Sequence, residues 1–292
     1  MIVSTLGQGL LWGILGLGIF MTFRILDFPD MTTEGSFPLG GAVAAFAIHR
    51  GFSPLLATFF GMLAGMIAGF MTGLLYTKGK IPIILSGILV VSASNSVMLF
   101  VMGRSVLTLL NYPKLQDSLN FLHLDKNFNA VILGVIMLFI LISLMLLFFD
   151  TYLGQAYIAT GDNEIMARSF GIHTDNMKLL GLCISNGIIA LSGALICQND
   201  GYAAVDKGIG VIVIGLAAII IGEVIFSELT ILERLLAIVI GAILYQLLIL
   251  IVIKLGFDTN YLKIFSSIIL AICLIIPELR KKFRLNVARW RK

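Results

Sequence analysis

The chain has 292 residues, of which 59% are hydrophobic and only 12% are charged, and its mean hydropathy is +1.04. Soluble domains carry about a quarter charged residues, so this composition excludes a soluble enzyme or binding domain and indicates an integral membrane protein. The formal net charge of +4 is small, so the positions of the basic residues are more informative than their sum.

Long apolar runs follow one another along the chain. A spanning helix needs about 20 apolar residues, and the runs lack the alternation that is typical of barrel strands. We therefore predict an all-α, polytopic membrane helix bundle of about nine spans. The predicted spans cover residues 2–23, 35–49, 54–76, 81–103, 129–149, 177–198, 209–226, 235–253 and 261–277.

The stretch between the first two spans is too polar and too broken for uniform helix. It contains Pro29, Pro38, Asp30 and Glu34, and proline interrupts helical hydrogen bonding. At membrane depth, irregular backbone occurs only where protein buries it or where it lines a water-filled cavity. We predict a broken helix near residues 25–41, with Asp30 and Glu34 beside a solute pathway. A cytoplasmic loop that ends in a capped helix is the alternative.

Small residues repeat every four positions in the third predicted span. The repeat consists of Gly61, Gly65, Gly69 and Gly73. Glycines at this spacing share one helix face and allow a neighbouring helix to approach closely. They predict helix packing, within the subunit rather than at a dimer interface.

Polar residues occupy the middle of the fourth span, and Asn186 occupies the middle of the sixth. Those of the fourth span are Ser92, Ser94, Asn95 and Ser96. An amide is costly in hydrocarbon unless it has a partner, so these side chains are expected to face the bundle interior. We predict that they line a translocation pathway. Interhelical hydrogen bonding explains Asn95 equally well and the serines better.

A short polar helix is predicted between the fifth and sixth spans, within residues 159–174. Asp162 or Gly161 can cap its start, Glu164 lies in its first turn, and Gly171 can end it. Ile165, Met166 and Phe170 can offer an apolar knob, and Arg168 a charge, to a groove on a partner protein. A helix that lies on the membrane surface is the alternative.

The C-terminal residues 281–292 form a basic tail that predicts a cytoplasmic C-terminus. With nine spans, the connections 150–176 and 227–234 and the turn at Lys78 are then also cytoplasmic, and the loops 104–128, 199–208 and 254–260 face outside. The basic cluster is expected to contact anionic membrane lipid rather than nucleic acid.

Ionisable residues are confined to the ends of the clear spans from residue 54 onward and to the loops. Ion-coupled carriers usually place such groups at mid-membrane, and no polar cluster of a membrane enzyme is visible. No phosphate-binding loop occurs, and no pair of Cys and His has the spacing of a zinc site. These absences favour a transport subunit, without catalytic activity or a metal of its own, that a separate ATPase drives.

Four stretches carry a resemblance to a known family. They are similar to permeases of ABC importers of the branched-chain amino-acid and ribose type. The four stretches are ATGDNEIMARSFGIHTDNMKLLGL, DFPDMTTEGSFPLGGAVAA, KIPIILSGILVVSASNSVMLFVMGR and GIGVIVIGLAAIIIGE. They resemble most a subgroup in which a single permease accompanies an ATPase and a lipoprotein that binds aromatic amino acids. Threonine, tyrosine and a basic residue that the subgroup tends to have in the fourth span are missing here, which affects the expected substrate more than the fold.

The resemblance implies a permease subunit of an ATP-driven importer in the bacterial cytoplasmic membrane. The solute is expected to be an amino acid, in the finer reading an aromatic, tryptophan-like one. Residues 1–280 would form the permease domain, and its partners would be two ABC ATPase subunits, an extracytoplasmic substrate-binding lipoprotein and a second copy of the chain. ATP and Mg would belong to the ATPase, which would dock on Asp162, Glu164, Met166, Ala167, Arg168, Phe170 and Gly171. An ion-coupled transporter or channel is the alternative.

Overall fold

The computed structural model describes residues 2–122, 126–226 and 230–255, together with isolated helical positions between 264 and 275. The predicted span 261–277 and most of the loop 254–260 are outside the continuously described ranges. The basic tail, residues 281–292, is also outside the described residues.

Helices account for most of the described chain. The α-helices are α1 (Ile2–Phe20), α2 (Thr33–His49), α3 (Pro54–Thr77), α4 (Ile83–Met102), α5 (Lys126–Asp150), α6 (Tyr152–Asp162), α7 (Glu164–Ser169), α8 (Thr174–Asp200), α9 (Val211–Ile225) and α10 (Ile231–Lys254). A π-helical turn, Met21–Ile25, continues α1, and 3-10 turns occur at Leu115–Leu122 and Val205–Gly208. Strands β1 (Val106–Thr108) and β2 (Tyr202–Ala204) form an antiparallel ribbon.

The polytopic helical architecture is confirmed, but the described residues contain seven helices long and apolar enough to cross a membrane instead of the predicted nine. The predicted span 35–49 accounts for one difference, because it forms α2, which has 17 residues and rises about 26 Å. The chain turns at residues 26–32, and α2 starts inside the bundle. The predicted ninth span is not continuously described.

The two ends of α8 define the two sides of the molecule. Its first residue, Thr174, follows α7, and its last, Asp200, precedes β2. We call these the α7 side and the ribbon side. Lys80 in the α3–α4 turn lies 3.8 Å from Asp175, so that turn is on the α7 side. Two of the predicted cytoplasmic elements, the connection 150–176 and the turn at Lys78, thus share the α7 side. On the other side, β1–β2 pairing joins the predicted outer loops 104–128 and 199–208.

Helix α8 is the centre of the packing. The four-residue glycine repeat of α3 faces it within the subunit, and a Cβ added at Gly65 or Gly69 would overlap α8 backbone atoms. The Oγ atoms of Ser185 and Ser192 donate hydrogen bonds of 2.8 Å to backbone carbonyls of α1. Close helix approach and interhelical hydrogen bonds drive association where lipid removes the hydrophobic contribution.

Candidate translocation cleft and docking helix

Helices α2 and α9 both begin inside the bundle and meet there. The backbone N–H of Gly210, the residue before α9, donates a 3.0 Å hydrogen bond to Oε1 of Glu34 in the first turn of α2. Pro38 cannot donate to the Glu34 carbonyl four residues earlier, and Gly208 lies directly against that carbonyl. The chain that returns from the ribbon therefore closes onto the break before α2.

A cleft of about 410 Å³ lies beside this junction, next to the ribbon. It is lined by Glu34, Val91, Asn95, Ser105, Val106, Val205, Asp206, Gly208 and Ile209. Two of the predicted pathway residues, Glu34 from α2 and Asn95 from α4, thus line one space. Asp206 was not among the predicted residues, since a single acid in an outer loop gives no signal in the sequence.

The structure places Asp30 and Asn186 together, but away from this cleft. Asp30 Oδ2 accepts a 2.6 Å hydrogen bond from Asn186 Nδ2, and Oδ1 accepts one of 2.9 Å from the backbone N–H of Thr32. Ser36 donates to Asn186 Oδ1, and the hydroxyls of Thr32 and Thr72 lie 2.8 Å apart. All five side chains are buried. This polar network holds the break before α2 between α3 and α8.

The serines of α4 lie on different faces of the helix. Ser94 is buried, and Gly35 of α2 packs against its Cβ. Ser92 and Ser96 are exposed on the subunit surface. None of the three belongs to the cleft lining, whereas Asn95, between two of them, does.

Helix α7 has defined ends. Asn163 is the N-cap, and its Oδ1 accepts a 3.0 Å hydrogen bond from the N–H of Met166. This corrects the prediction that Asp162 or Gly161 caps the helix: both belong to α6, which the sequence did not reveal as a separate helix. Gly171 follows α7 with φ of +83°, the left-handed conformation that glycine adopts without strain.

A network of ion pairs ties α7 to α8. Oε1 of Glu164 lies 2.8 Å from both Arg168 and Lys178, and Arg168 lies 3.2 Å from Asp175. The hydrogen bond from Lys178 lowers the pKa of the Glu164 carboxyl below its usual range, helped by Thr174 and Arg168 and opposed by burial. Arg168 therefore fixes α7 on its own chain instead of presenting a free charge.

The outer face of α7 is apolar and uncovered. Ile165 is 84% exposed, Met166 54% and Phe170 74%, whereas Ala167 is buried. A groove of about 490 Å³ runs alongside, lined by residues that include Arg168, Gly171 and Asp175. Asp162 lies apart from this groove, in a pocket that Arg24 and Arg234 also line.

Residues 1–274 match the family described as the branched-chain amino acid transport system permease component. The chain belongs to this permease family. The tyrosine transport system permease protein of Clostridioides difficile is 39% identical to the permease over 269 residues, which cover 92% of this chain and 88% of that one.

More distant relatives extend the comparison. An uncharacterized protein of Rickettsia prowazekii is 33% identical over 94% of the permease and 96% of its own length. The autoinducer 2 import system permease protein LsrC of Yersinia enterocolitica is 26% identical over 72% of the permease and 56% of its own length. No solved structure matches the permease.

Family membership confirms the predicted class of the chain. The permease is a multi-pass protein of the bacterial cytoplasmic membrane and an ABC importer subunit for a small solute, a transport component and not an enzyme. Within the described ranges, no three His, Cys, Asp or Glu side chains are grouped so that they could hold a metal ion.

Two contacts near the α7 side were not found from the sequence. The Tyr157 hydroxyl, buried in α6, donates a 2.6 Å hydrogen bond to the Met21 carbonyl at the π-helical turn of α1. Arg24 in the same turn pairs with Glu223 near the end of α9, with Nε and Oε1 2.7 Å apart. The sequence shows Arg24 and Glu223 as opposite charges at the ends of two predicted spans. This does not predict that they pair, because charged residues are common at the ends of spans.

Proposed function

We propose that two copies of the permease and two ABC ATPase subunits form an ATP-driven importer for an amino acid, in particular an aromatic one. The name of the Clostridioides difficile relative, a tyrosine transport permease, supports this substrate class. An extracytoplasmic lipoprotein delivers the solute to the ribbon side, and the basic tail contacts membrane lipid on the other side. ATP and Mg act in the ATPase.

The observation that carries the proposal is the apolar face of α7. Helix α7 has only six residues, too few to form a stable isolated helix, yet its cap and ion pairs hold Ile165, Met166 and Phe170 outward. A helix presented in this way fits a hydrophobic groove on a soluble partner. In this proposal the apolar side chains bind the ATPase. The other predicted docking residues position the helix; they are Asp162, Glu164, Ala167, Arg168 and Gly171.

The ribbon-side cleft is the proposed start of the solute pathway. Glu34 and Asn95 line it, and the exposed Ser92 and Ser96 flank Asn95 in α4 on a surface that we propose faces a second copy of the chain. Asp30 and Asn186 take part indirectly, because their buried network fixes the start of the helix that carries Glu34.

Co-purification of an ATPase from the native host tests the docking role. The tagged permease, extracted in mild detergent, is expected to retain an ABC ATPase. Phe170→Ala combined with Ile165→Ala is expected to lose it, since interface anchors of this kind cost about 2 kcal/mol or more when truncated. The matched control is Leu110→Ala, because Leu110 is 78% exposed but lies on the ribbon side.

The outcomes separate the proposed importer from its rival. ATPase retained by the parent and the control but absent from the α7 variant supports docking. If the parent permease is folded but co-purifies with no ATPase in several detergents, the proposed importer is contradicted. If the same protein takes up solute and an ionophore abolishes this uptake, ion coupling through Asp30 or Glu34 is supported instead.

A further inference from the structure

We propose that the ribbon-side cleft selects solutes by a cationic ammonium group joined to an apolar body. Glu34 is the positioning contact for the ammonium group. This inference rests on the proposed role of the cleft as the start of the pathway. It adds which chemical group of the solute the permease recognises.

The charges around the cleft are unbalanced. The carboxylates of Glu34 and Asp206 both line it, and none of the described lysine, arginine or histidine side chains does. Neither carboxylate forms an ion pair within the described part of the chain. A cleft lined by one sign of charge attracts counter-ions.

The nearest cations along the chain do not neutralise this charge. Lys207 follows Asp206 but turns to Asp200, whose Oδ2 lies 2.6 Å from its Nζ, and stacks on the Tyr202 ring at 3.6 Å. Arg104 precedes the lining residue Ser105 and is exposed outside the cleft lining. Neither of these cations therefore pairs with Glu34 or Asp206.

Branched aliphatic side chains form most of the remaining wall, which also contains Asn95, Ser105 and Gly208. Val91 comes from α4, Val106 from β1, and Val205 and Ile209 from the segment before α9. The volume of about 410 Å³ lies within the roughly 300–1,000 Å³ of small-molecule sites, which combine apolar walls with a few polar groups. An amine with an aliphatic or aromatic body satisfies both parts of this lining.

The same lining disfavours other solutes. A carboxylic acid that lacks the ammonium group of an amino acid would bring only negative charge to two carboxylates, and like charges brought together are a strong source of discrimination. A sugar would find the amide of Asn95 and the hydroxyl of Ser105 but would leave most of its hydroxyls against aliphatic carbon, where unpaired polar groups are costly.

Glu34 is held in place independently of any ligand. Its Oε1 accepts the Gly210 N–H, and its Oε2 accepts no hydrogen bond from the described residues. Glu34→Gln keeps a carbonyl oxygen for the Gly210 N–H and removes the charge. This variant therefore separates the electrostatic role of Glu34 from its structural role.

A cysteine introduced in the cleft reports the electrostatic potential of the cleft, and the measurement needs no ATPase or binding protein. Asn95→Cys is placed in a chain whose Cys183, Cys197 and Cys273 are alanine. Its reaction rates with a cationic and an anionic methanethiosulfonate are measured in detergent and normalised to free cysteine. The cation is expected to react about tenfold faster or more, the lower end of electrostatic focusing. Adding Glu34→Gln and Asp206→Asn should remove most of this preference. The same two substitutions should leave the rates unchanged at Leu110→Cys, which lines a different pocket on the same side.

Protection of the same cysteine tests the ligand class with 2-phenylethylamine, 3-phenylpropionate and ribose as probes. The amine is expected to slow the reaction with a neutral thiol reagent, and the acid and the sugar to leave it unchanged. Equal rates for the two charged reagents, or protection by the acid or by none of the probes, would overturn the inference. Docking of the ATPase on α7 would be unaffected by that result.

Discussion

Gly65 lies in the close contact between α3 and α8. A Cβ at this position would overlap the Asn186 carbonyl oxygen and the Ala190 Cβ of α8, and the backbone atom cannot move aside without shifting the helix. We expect Gly65→Ala to destabilise the permease by about 1–3 kcal/mol, the usual cost of overpacking. Thermal unfolding in detergent, followed by size-exclusion chromatography of the tagged protein, measures the change.

Gly13 in α1 is the matched control for this substitution. A Cβ there would meet Val239 at 3.5 Å, an ordinary van der Waals contact, and alanine is about 1 kcal/mol more favourable than glycine in a helix. Gly13→Ala should therefore unfold at or above the temperature of the parent. Equal stability of both variants would mean that the glycine repeat of α3 is not a tight helix contact.

At the scale of an element, α7 depends on the charge state of Glu164. Its folded pKa is lowered, first by the hydrogen bond from Lys178. The contribution of the carboxylate to the order of α7 is thus complete above the ordinary pKa of 4.5 and is lost as the pH falls through the lower, folded value. We expect α7 to stay protected from proteolysis from neutral pH to about pH 5 and to become cleavable in more acidic buffer.

Glu164→Gln provides the comparison for this pH dependence. It retains the cap at Asn163 but removes the titrating group, so its cleavage rate should change little across the same acidic range. A parent and a variant with identical pH profiles would assign the acid sensitivity to another group.

Elements were predicted from the sequence where the apolar pattern is long, as in α3, α5, α8 and α10. A break before α2 was also predicted from two prolines and two acids, but the predicted bounds 25–41 were too wide. The helix starts at Thr33 and contains both Glu34 and Pro38, because a proline removes only one hydrogen bond and the packing around α2 offsets that loss. Helix α6 was not separated from its surroundings, since Tyr157 is buried by tertiary contacts with α1 that local pattern does not encode. The apolar surface at Met166 and Phe170, the proposed docking surface, could be predicted because its residues are close together in the sequence.

The cleft could be predicted only in part, because its residues come from distant segments. Polarity within an apolar span marked Asn95, and the broken helix marked Glu34. Asp206 and the four aliphatic wall residues have ordinary sequence surroundings. Only the fold brings them together, through the ribbon that pairs Val106 with Ala204.

For the whole molecule, the exposed serines of α4 bear on how two copies of the permease assemble. Ser92 and Ser96 lie one turn apart on a face that the single chain leaves open, and the Ser96 hydroxyl donates a long hydrogen bond of 3.5 Å to the Ser92 carbonyl within α4. Serine hydroxyls on such a face can also form hydrogen bonds between helices. We expect Ser96→Cys, in the cysteine-free chain, to form a disulfide-linked dimer in native membranes on mild oxidation, detected by non-reducing electrophoresis.

A cysteine on the apolar surface of α5 serves as the control for dimerisation. Phe139 is 73% exposed, and its helix face carries no comparable polar pair. Cross-linking at Phe139→Cys but not at Ser96→Cys would place the second copy against α5 and would remove the argument that α4 faces it.

The central place of α8 has a consequence for how the permease is made. Asp30 finds its amide partner at Asn186, 156 residues later, and Glu34 finds the Gly210 N–H 176 residues later. While the ribosome is still translating α5, these acids have neither partner. The native contacts of α2 with α8 and with the start of α9 can therefore form only after both of those segments have left the ribosome.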